Sequence, residues 1–158
     1  MITPMPKEQF LIAMRFLASS VSVISAKDSS GNLFAMTASS VTSLTMDPPS
    51  ILVCVNNGAT IHDVLMKGEN LCINILQKTQ QEISNICSSR ELESTRFQNN
   101  FWDTSDIPFI KDSQANIFCK VDETVSYHTH KIVIGSVIHS QSAETFNTLM
   151  YADGGYLD

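Results

Sequence analysis

Short apolar runs separated by polar turns recur along most of the chain and predict strands. Val21-Ser22-Val23-Ile24-Ser25-Ala26 alternates, Lys27–Asn32 supplies a turn, and Leu33 opens the next strand, so a hairpin is the simplest arrangement. Met36-Thr37-Ala38-Ser39-Ser40-Val41-Thr42-Ser43 follows with small hydroxyl side chains. Asp47-Pro48-Pro49 breaks the chain, because proline fixes φ and carries no amide donor. Ser50–Val55 is a β-branched run suited to burial on both faces, and Asn56-Asn57-Gly58 closes it as a turn. Leu71–Leu76 is a buried-looking strand interrupted by Asn74, and Ala115–Val125 and Lys131–Ser140 are two more, joined through Ser126-Tyr127-His128-Thr129-His130.

Three segments carry a helical period instead. Phe10, Met14 and Leu17 predict an amphipathic helix over Lys7–Ala18, laid on a β core. Ile61 and Leu65 predict a short helix over Ala59–Met66, with Gly68 past its end. Thr79-Gln80-Gln81-Glu82 has capping-box spacing ahead of Ile83, Ile86 and Cys87, which predicts a helix over Thr79–Ser88. Arg90–Asn100 is irregular, and Trp102–Lys111 predicts a loop long enough for a lid or a dimer contact. Six or so strands with few helices indicate a mainly β protein, a barrel formed as one domain by residues 1–158.

Composition narrows the function classes. The 158 residues are 43% hydrophobic and carry a net charge of −6, as expected of a globular chain with a real core. An acidic surface repels phosphate backbones, and no basic patch offsets it, so nucleic acid is an unexpected partner. The first residues lack the basic and apolar regions of a signal peptide, and no apolar stretch is long enough to span a bilayer. Cys54, Cys72, Cys87 and Cys119 are scattered, three of them among apolar neighbours, which suits reduced core thiols of a cytoplasmic protein.

The residues also limit the chemistry. No Gly-x-Ser-x-Gly turn or Gly-x-Gly-x-x-Gly loop is present. His128 and His130 lack a third metal ligand, so no metal is expected. Glu91 and Glu93 look like solvated loop charges rather than a catalytic pair. What remains is hydroxyls, asparagines and backbone amides, with one histidine and Arg96, a set suited to holding a cofactor that carries the reactivity itself. Thr60 either caps a helix or sits beside a bound anion. Asn74 either pins a neighbouring loop or faces a ligand, since an unpaired buried amide costs about 1–3 kcal/mol. Arg96, next to Phe97, either anchors its loop or reaches an anion.

The order Thr37-Ala38-Ser39-Ser40, Asp47-Pro48-Pro49, Val53-Cys54-Val55-Asn56, Leu71-Cys72-Ile73-Asn74-Ile75-Leu76, Arg96-Phe97 and Thr129-His130 resembles the flavin reductase-like family. Within it, the chain is similar to the small NAD(P)H:flavin reductase components of two-component monooxygenases, of the 4-hydroxyphenylacetate hydroxylase type. The resemblance implies an FMN-binding split β barrel with a few short peripheral helices, assembled as a homodimer. It implies that Thr37, Ala38, Ser39 and Ser40 line the flavin ring and ribityl chain. Cys54, Val55, Asn56 and Asn57 would lie along the isoalloxazine edge, with Thr60 near the phosphate. Asn74 would support the pocket, Arg96 would meet the phosphate or a nearby anion, and Tyr151 and Tyr156 would stand near the nicotinamide site. His130 matches the family histidine near the nicotinamide and would position the hydride donor.

The implied activity is hydride transfer from NADH or NADPH to FMN or FAD, supplying reduced flavin to an oxygenase component. The alternative is a flavin-storage or flavin-sensing protein without turnover. A pyridoxamine-phosphate oxidoreductase is disfavoured, since no basic cluster stands ready for two phosphates. One departure is plain: the family commonly has Gly-Asp-His or Gly-Thr-His at the histidine motif, and here His128 occupies the glycine position.

Overall fold

A computed structural model describes residues 5–158 of the chain. The strands are β1 (Ser19–Ser20), β2 (Ser22–Lys27), β3 (Leu33–Ala38), β4 (Val41–Met46), β5 (Pro49–Asn56), β6 (Asn70–Ile75), β7 (Trp102–Asp103), β8 (Phe109–Ile110), β9 (Ala115–Tyr127), β10 (His130–Ser142), β11 (Met150–Ala152) and β12 (Gly155–Leu157). Two α-helices accompany them, α1 (Pro6–Met14) and α2 (Gln81–Ser88). Seven strands form one antiparallel sheet in the order β3-β2-β6-β9-β10-β5-β4. β1-β11-β12 and β7-β8 make two small separate sheets.

The strand order forces the large sheet to curl. β3 and β4 are its opposite edges, yet only Ser39 and Ser40 separate them in sequence. The link from Ala38 to Val41 reaches at most about 11 Å. The sheet is therefore rolled until its edges stand side by side, joined by covalent chain, and the expected mainly β architecture with peripheral helices is what the chain adopts.

Two apolar clusters hold this shape. The interior one gathers Ile24, Ala26, Val53, Val55, Ile73, Val121 and Val133 from strands all round the sheet, sealed by Ile61 and Leu65. The second joins Val21, Val23 and Ala35 to Ile83 and Cys87 of α2, with Trp102, Ile110 and Leu149. β2 feeds both clusters, which is why Ser22 and Ser25 are buried despite its alternating pattern. At Gly135 of β10, beside a register shift, an added Cβ would lie 2.8 Å from the Cβ of Cys119, so close strand approach requires glycine there.

Several expectations need correction. α1 buries none of its residues, and Phe10, Ile12 and Leu17 are more than half exposed. At 100° per residue, Phe10, Leu11 and Ile12 spread over about 200° of the helix circumference, so they do not gather into one stripe to dock on the core. The Ala59–Met66 helix tightens to a 3₁₀ turn at Thr60–Asp63, although Ile61 and Leu65 are buried as expected. The capping box is displaced as well: the Gln77 amide donates to Gln80 Oε1 (2.9 Å), and α2 starts only at Gln81.

Trp102–Lys111 is not a lid. Trp102 is buried and donates from Nε1 to the Arg96 carbonyl (2.7 Å), and β7 and β8 pack into the second cluster. Among the described residues, no helix is long and apolar enough to cross a membrane.

Candidate functional site

The end of β3, the turn after β5 and the segment following α2 enclose a cleft of about 350 Å3. Thr37 comes from β3, because Ser39 and Ser40 turn the chain there from one sheet edge to the other. Asn56, Gly58, Ala59 and Thr60 come from the β5 turn, whose shape is fixed locally. Asn56 Oδ1 accepts the Gly58 amide (2.8 Å), and the Asn57 amide donates to the Thr129 carbonyl (2.9 Å). A second cleft of about 280 Å3 adjoins the first through the shared Thr37 and Ser88, and it takes in Ala38, Ser39, Tyr151 and Tyr156.

Charge is concentrated in the larger cleft, where Arg90, Arg96 and Glu93 meet. Arg96 is 8% exposed, and its guanidinium donates to the Ala35 carbonyl through Nη1 (2.5 Å) and to the Ser89 carbonyl through Nη2 (3.1 Å). Its Nε is buried with no hydrogen-bond partner. Arg90 lies across from Gly58, where an added Cβ would stand 3.1 Å from Nη2 and 3.3 Å from Asn56 Oδ1. Cys87 closes the floor, and burial pushes its thiol up to about 12, with the Arg96 charge pulling weakly the other way. It is therefore a neutral apolar lining group rather than a nucleophile.

The second cleft is shaped by tyrosines. The Tyr151 and Tyr156 rings meet edge to face at 5.5 Å. Tyr156 Oη donates to Asn85 Oδ1 (2.8 Å) and contacts Ser84 Oγ (2.8 Å), while Thr37 Oγ1 donates to the Ser84 carbonyl (2.7 Å). One turn of α2 thus orients both Tyr156 and Thr37.

Of the residues singled out from sequence, Thr37, Asn56, Thr60 and Arg96 line the larger cleft, and Thr37, Ala38, Ser39, Tyr151 and Tyr156 the smaller. Ser40 and Cys54 do not line either; Ser40 Oγ donates to the Cys54 carbonyl (3.2 Å) and extends the β4–β5 pairing. Val55 is fully buried in the interior cluster, and Asn57 Nδ2 donates to the His128 carbonyl (2.9 Å) on the outside of the turn. Thr60 caps no helix, since its Oγ1 donates to Glu93 Oε1.

Asn74 also lies outside both clefts. Its Nδ2 donates to the Val23 carbonyl and Ser25 Oγ, and its Oδ1 accepts from the Ile110 amide and Asn116 Nδ2. It pins the β7–β8 loop to the sheet, the alternative that its burial made natural. His130 is exposed at the start of β10, directly opposite Asn56 in the ladder, with Nδ1 against Thr129 Oγ1 (2.9 Å). Such partners hold their Cβ atoms about 5 Å apart, so His130 stands next to the cleft through Asn56. His128, the residue at the turn, has φ +48° and its ring packs edge-on against Tyr127.

Sequence reasoning missed Met36, Gly58, Ala59, Cys87, Ser88, Arg90 and Glu93, all of which line the larger cleft. Glu93 in particular is no solvated loop charge: it accepts from Thr60 and lies 3.7 Å from Arg96. Three other depressions, of about 140, 350 and 300 Å3, contain no arginine.

A rolled antiparallel sheet with a cleft lined by hydroxyls and two guanidinium groups defines a mainly β protein with a polar, cation-bearing site. The chain belongs to the family described as flavin reductase like domain, whose model matches residues 14–158. It is 31% identical over 152 residues to the reductase component of the FADH(2)-dependent resorcinol hydroxylase of Rhizobium sp. (strain MTP-10005), covering 94% of this chain and 85% of that one. It is 31% identical over 144 residues to the FMN reductase (NADH) RutF of Pseudomonas syringae pv. syringae (strain B728a), covering 90% and 80% respectively. A crystal structure of a candidate flavin reductase from Haemophilus somnus 129PT superposes with a TM-score of 0.88 at 31% identity, over 97% of this chain and 99% of that one.

Proposed function

We propose that the protein is an NAD(P)H-dependent flavin reductase, acting as one domain, that hands reduced FMN or FAD to a separate oxygenase component. The meeting of Arg90 and Arg96 with Thr37 and Thr60 in one cleft carries this reading, because guanidinium and hydroxyl donors gathered at one place suit a phosphate. The residues fit a flavin nucleotide. Two guanidinium groups suit its phosphate, the missing Cβ of Gly58 leaves room beside Arg90, and Thr37, Ala38 and Ser39 offer small polar groups to a flat ring. The relatives named as an FMN reductase and as a hydroxylase reductase component support the same assignment.

Bound flavin would supply the hydride-accepting ring, so the chain needs no strong acid or base of its own. Its residues act by binding and orienting. Thr37, held by Ser84, and Ser39 present hydroxyls along one wall, and the edge-to-face Tyr151–Tyr156 pair closes the other. Arg90 and Arg96 hold the anionic end. His130 positions the nicotinamide from the mouth, beside Asn56. A homodimer is part of the reading: Leu44 and Met46 of β4 and the apolar residues of α1 are exposed in the single chain. Four free cysteines favour the cytoplasm.

Mixing the protein with NADH and FMN tests the reading. Continuous loss of NADH absorbance is expected, with FAD or NADPH substituting to a degree the assay measures. No turnover with any pairing of nicotinamide and flavin overturns it, and quenched flavin fluorescence without NADH loss selects the storage or sensing alternative.

A further inference from the structure

The carboxylate of Glu93 sits between the Thr60 hydroxyl and the Arg96 guanidinium in the larger cleft. Its Oε1 accepts from Thr60 Oγ1 (2.5 Å) and lies 3.7 Å from Arg96 Nη1. Arg96 has two of its nitrogens committed to backbone carbonyls and its Nε buried without a partner, while Arg90 is the second cation of the cleft. An internal anion therefore already occupies the hydroxyl and half-neutralises the positive charge on which a phosphate depends. Arg96 is almost wholly buried, but the Glu93 side chain is 40% exposed, so the acid can swing toward water and the base cannot.

We propose that Glu93 is a resident counter-anion which competes with the flavin phosphate for Thr60 and Arg96, and so sets the site to exchange flavin rather than retain it. The inference rests on the flavin reading of the cleft and adds its regulation. A phosphate monoester carries about −1.5 to −2 charges at neutral pH. A carboxylate held a few ångströms away in a partly screened cleft weakens its binding by about tenfold. A retained prosthetic group would be served by the same cleft without the acid; a flavin that must leave for a second enzyme is served by having it.

The test compares FMN with riboflavin, which has the same ring and no phosphate, by fluorescence quenching against wild type and Glu93→Gln. The amide keeps an oxygen for Thr60 but loses the charge. The expected result is FMN binding tightened about tenfold and riboflavin binding changed less than twofold, with the FMN gain shrinking as salt is raised. Glu93→Asp keeps the charge and should leave the FMN-to-riboflavin ratio within about threefold of wild type. Unchanged ratios in Glu93→Gln, or FMN bound more weakly while riboflavin binding holds, overturn the proposal and leave the flavin site standing. If wild type binds neither flavin, the reading of the cleft and this proposal fall together. Should Glu93→Gln unfold, Glu93→Ser takes its place with the same expectation.

Discussion

Two buried polar centres lie within the same fold and have opposite characters. Around Asn74, every amide hydrogen and lone pair has a use: Val23, Ser25, Ile110 and Asn116 surround it, and its neighbour Cys72 directs its thiol at the same oxygen (3.5 Å). Around Arg96, two nitrogens are satisfied and the third is not, and a cleft opens beside it. Both centres carry residue types that sequence reading assigned to the ligand site. A completed network leaves nothing for a ligand to take, whereas an incomplete one beside open space is where binding energy can still be gained.

The sharpest way to break this comparison is to remove the completed centre. Asn74→Leu takes the acceptor from the Ile110 amide and one partner each from the Val23 carbonyl, Ser25 Oγ and Asn116 Nδ2, and should lower unfolding stability by about 3 kcal/mol in urea melts. Flavin affinity of the fraction still folded should stay within twofold of wild type; a selective loss of flavin binding would return Asn74 to the site.

The thiols sharpen it next, since Cys72 stands at one centre and Cys87 at the other. Burial raises both, Cys87 to about 12 from 9.0, and the buried Cys119 to about 12 as well. A folded value above the unfolded one means that the stabilisation is complete below pH 9 and is lost as pH climbs toward 12. Each thiol should cost about 1.4 kcal/mol of stability at pH 10. Cys87→Ala should remove its share of that slope, and a stability profile flat from pH 8 to 10 would refute the assignment.

Arg96→Gln probes the incomplete centre. FMN affinity should fall about tenfold, with riboflavin affected less, because a neutral amide offers the phosphate no charge. Equal loss for both flavins would mark Arg96 as a loop anchor alone. Gly58→Ala is the mildest change: its Cβ meets Arg90 Nη2 at 3.1 Å, the far end of a flexible side chain, so FMN binding should weaken two- to threefold with the melting temperature unchanged.

Much of this was legible in the sequence, and the divisions are physical. Alternation and β-branched runs marked β2, β5, β6, β9 and β10, because those strands meet the core with a period the side chains must match. The stretch from Thr37 to Ser39 and the turn at Asn56 marked one wall of the clefts. The opposite wall was invisible: Arg90 and Glu93 lie in a segment without periodicity just past Ser88 at the end of α2, and only the packing of α2 against β3 brings them to Thr37. Asn74 pins the β7–β8 loop, the alternative that its burial already favoured. Phe10, Met14 and Leu17 show the remaining limit, since apolar spacing names a face but not what covers it.

The central claim is that the cleft between Thr37, Thr60 and Arg96 is where flavin binds. Amide hydrogen exchange of the protein with and without saturating FMN tests it directly. Slowed exchange confined to residues 36–39, 56–60 and 88–96, with the Asn74 strand unaffected, is the predicted result. Protection centred elsewhere in the molecule, or none while FMN is demonstrably bound, would contradict the account.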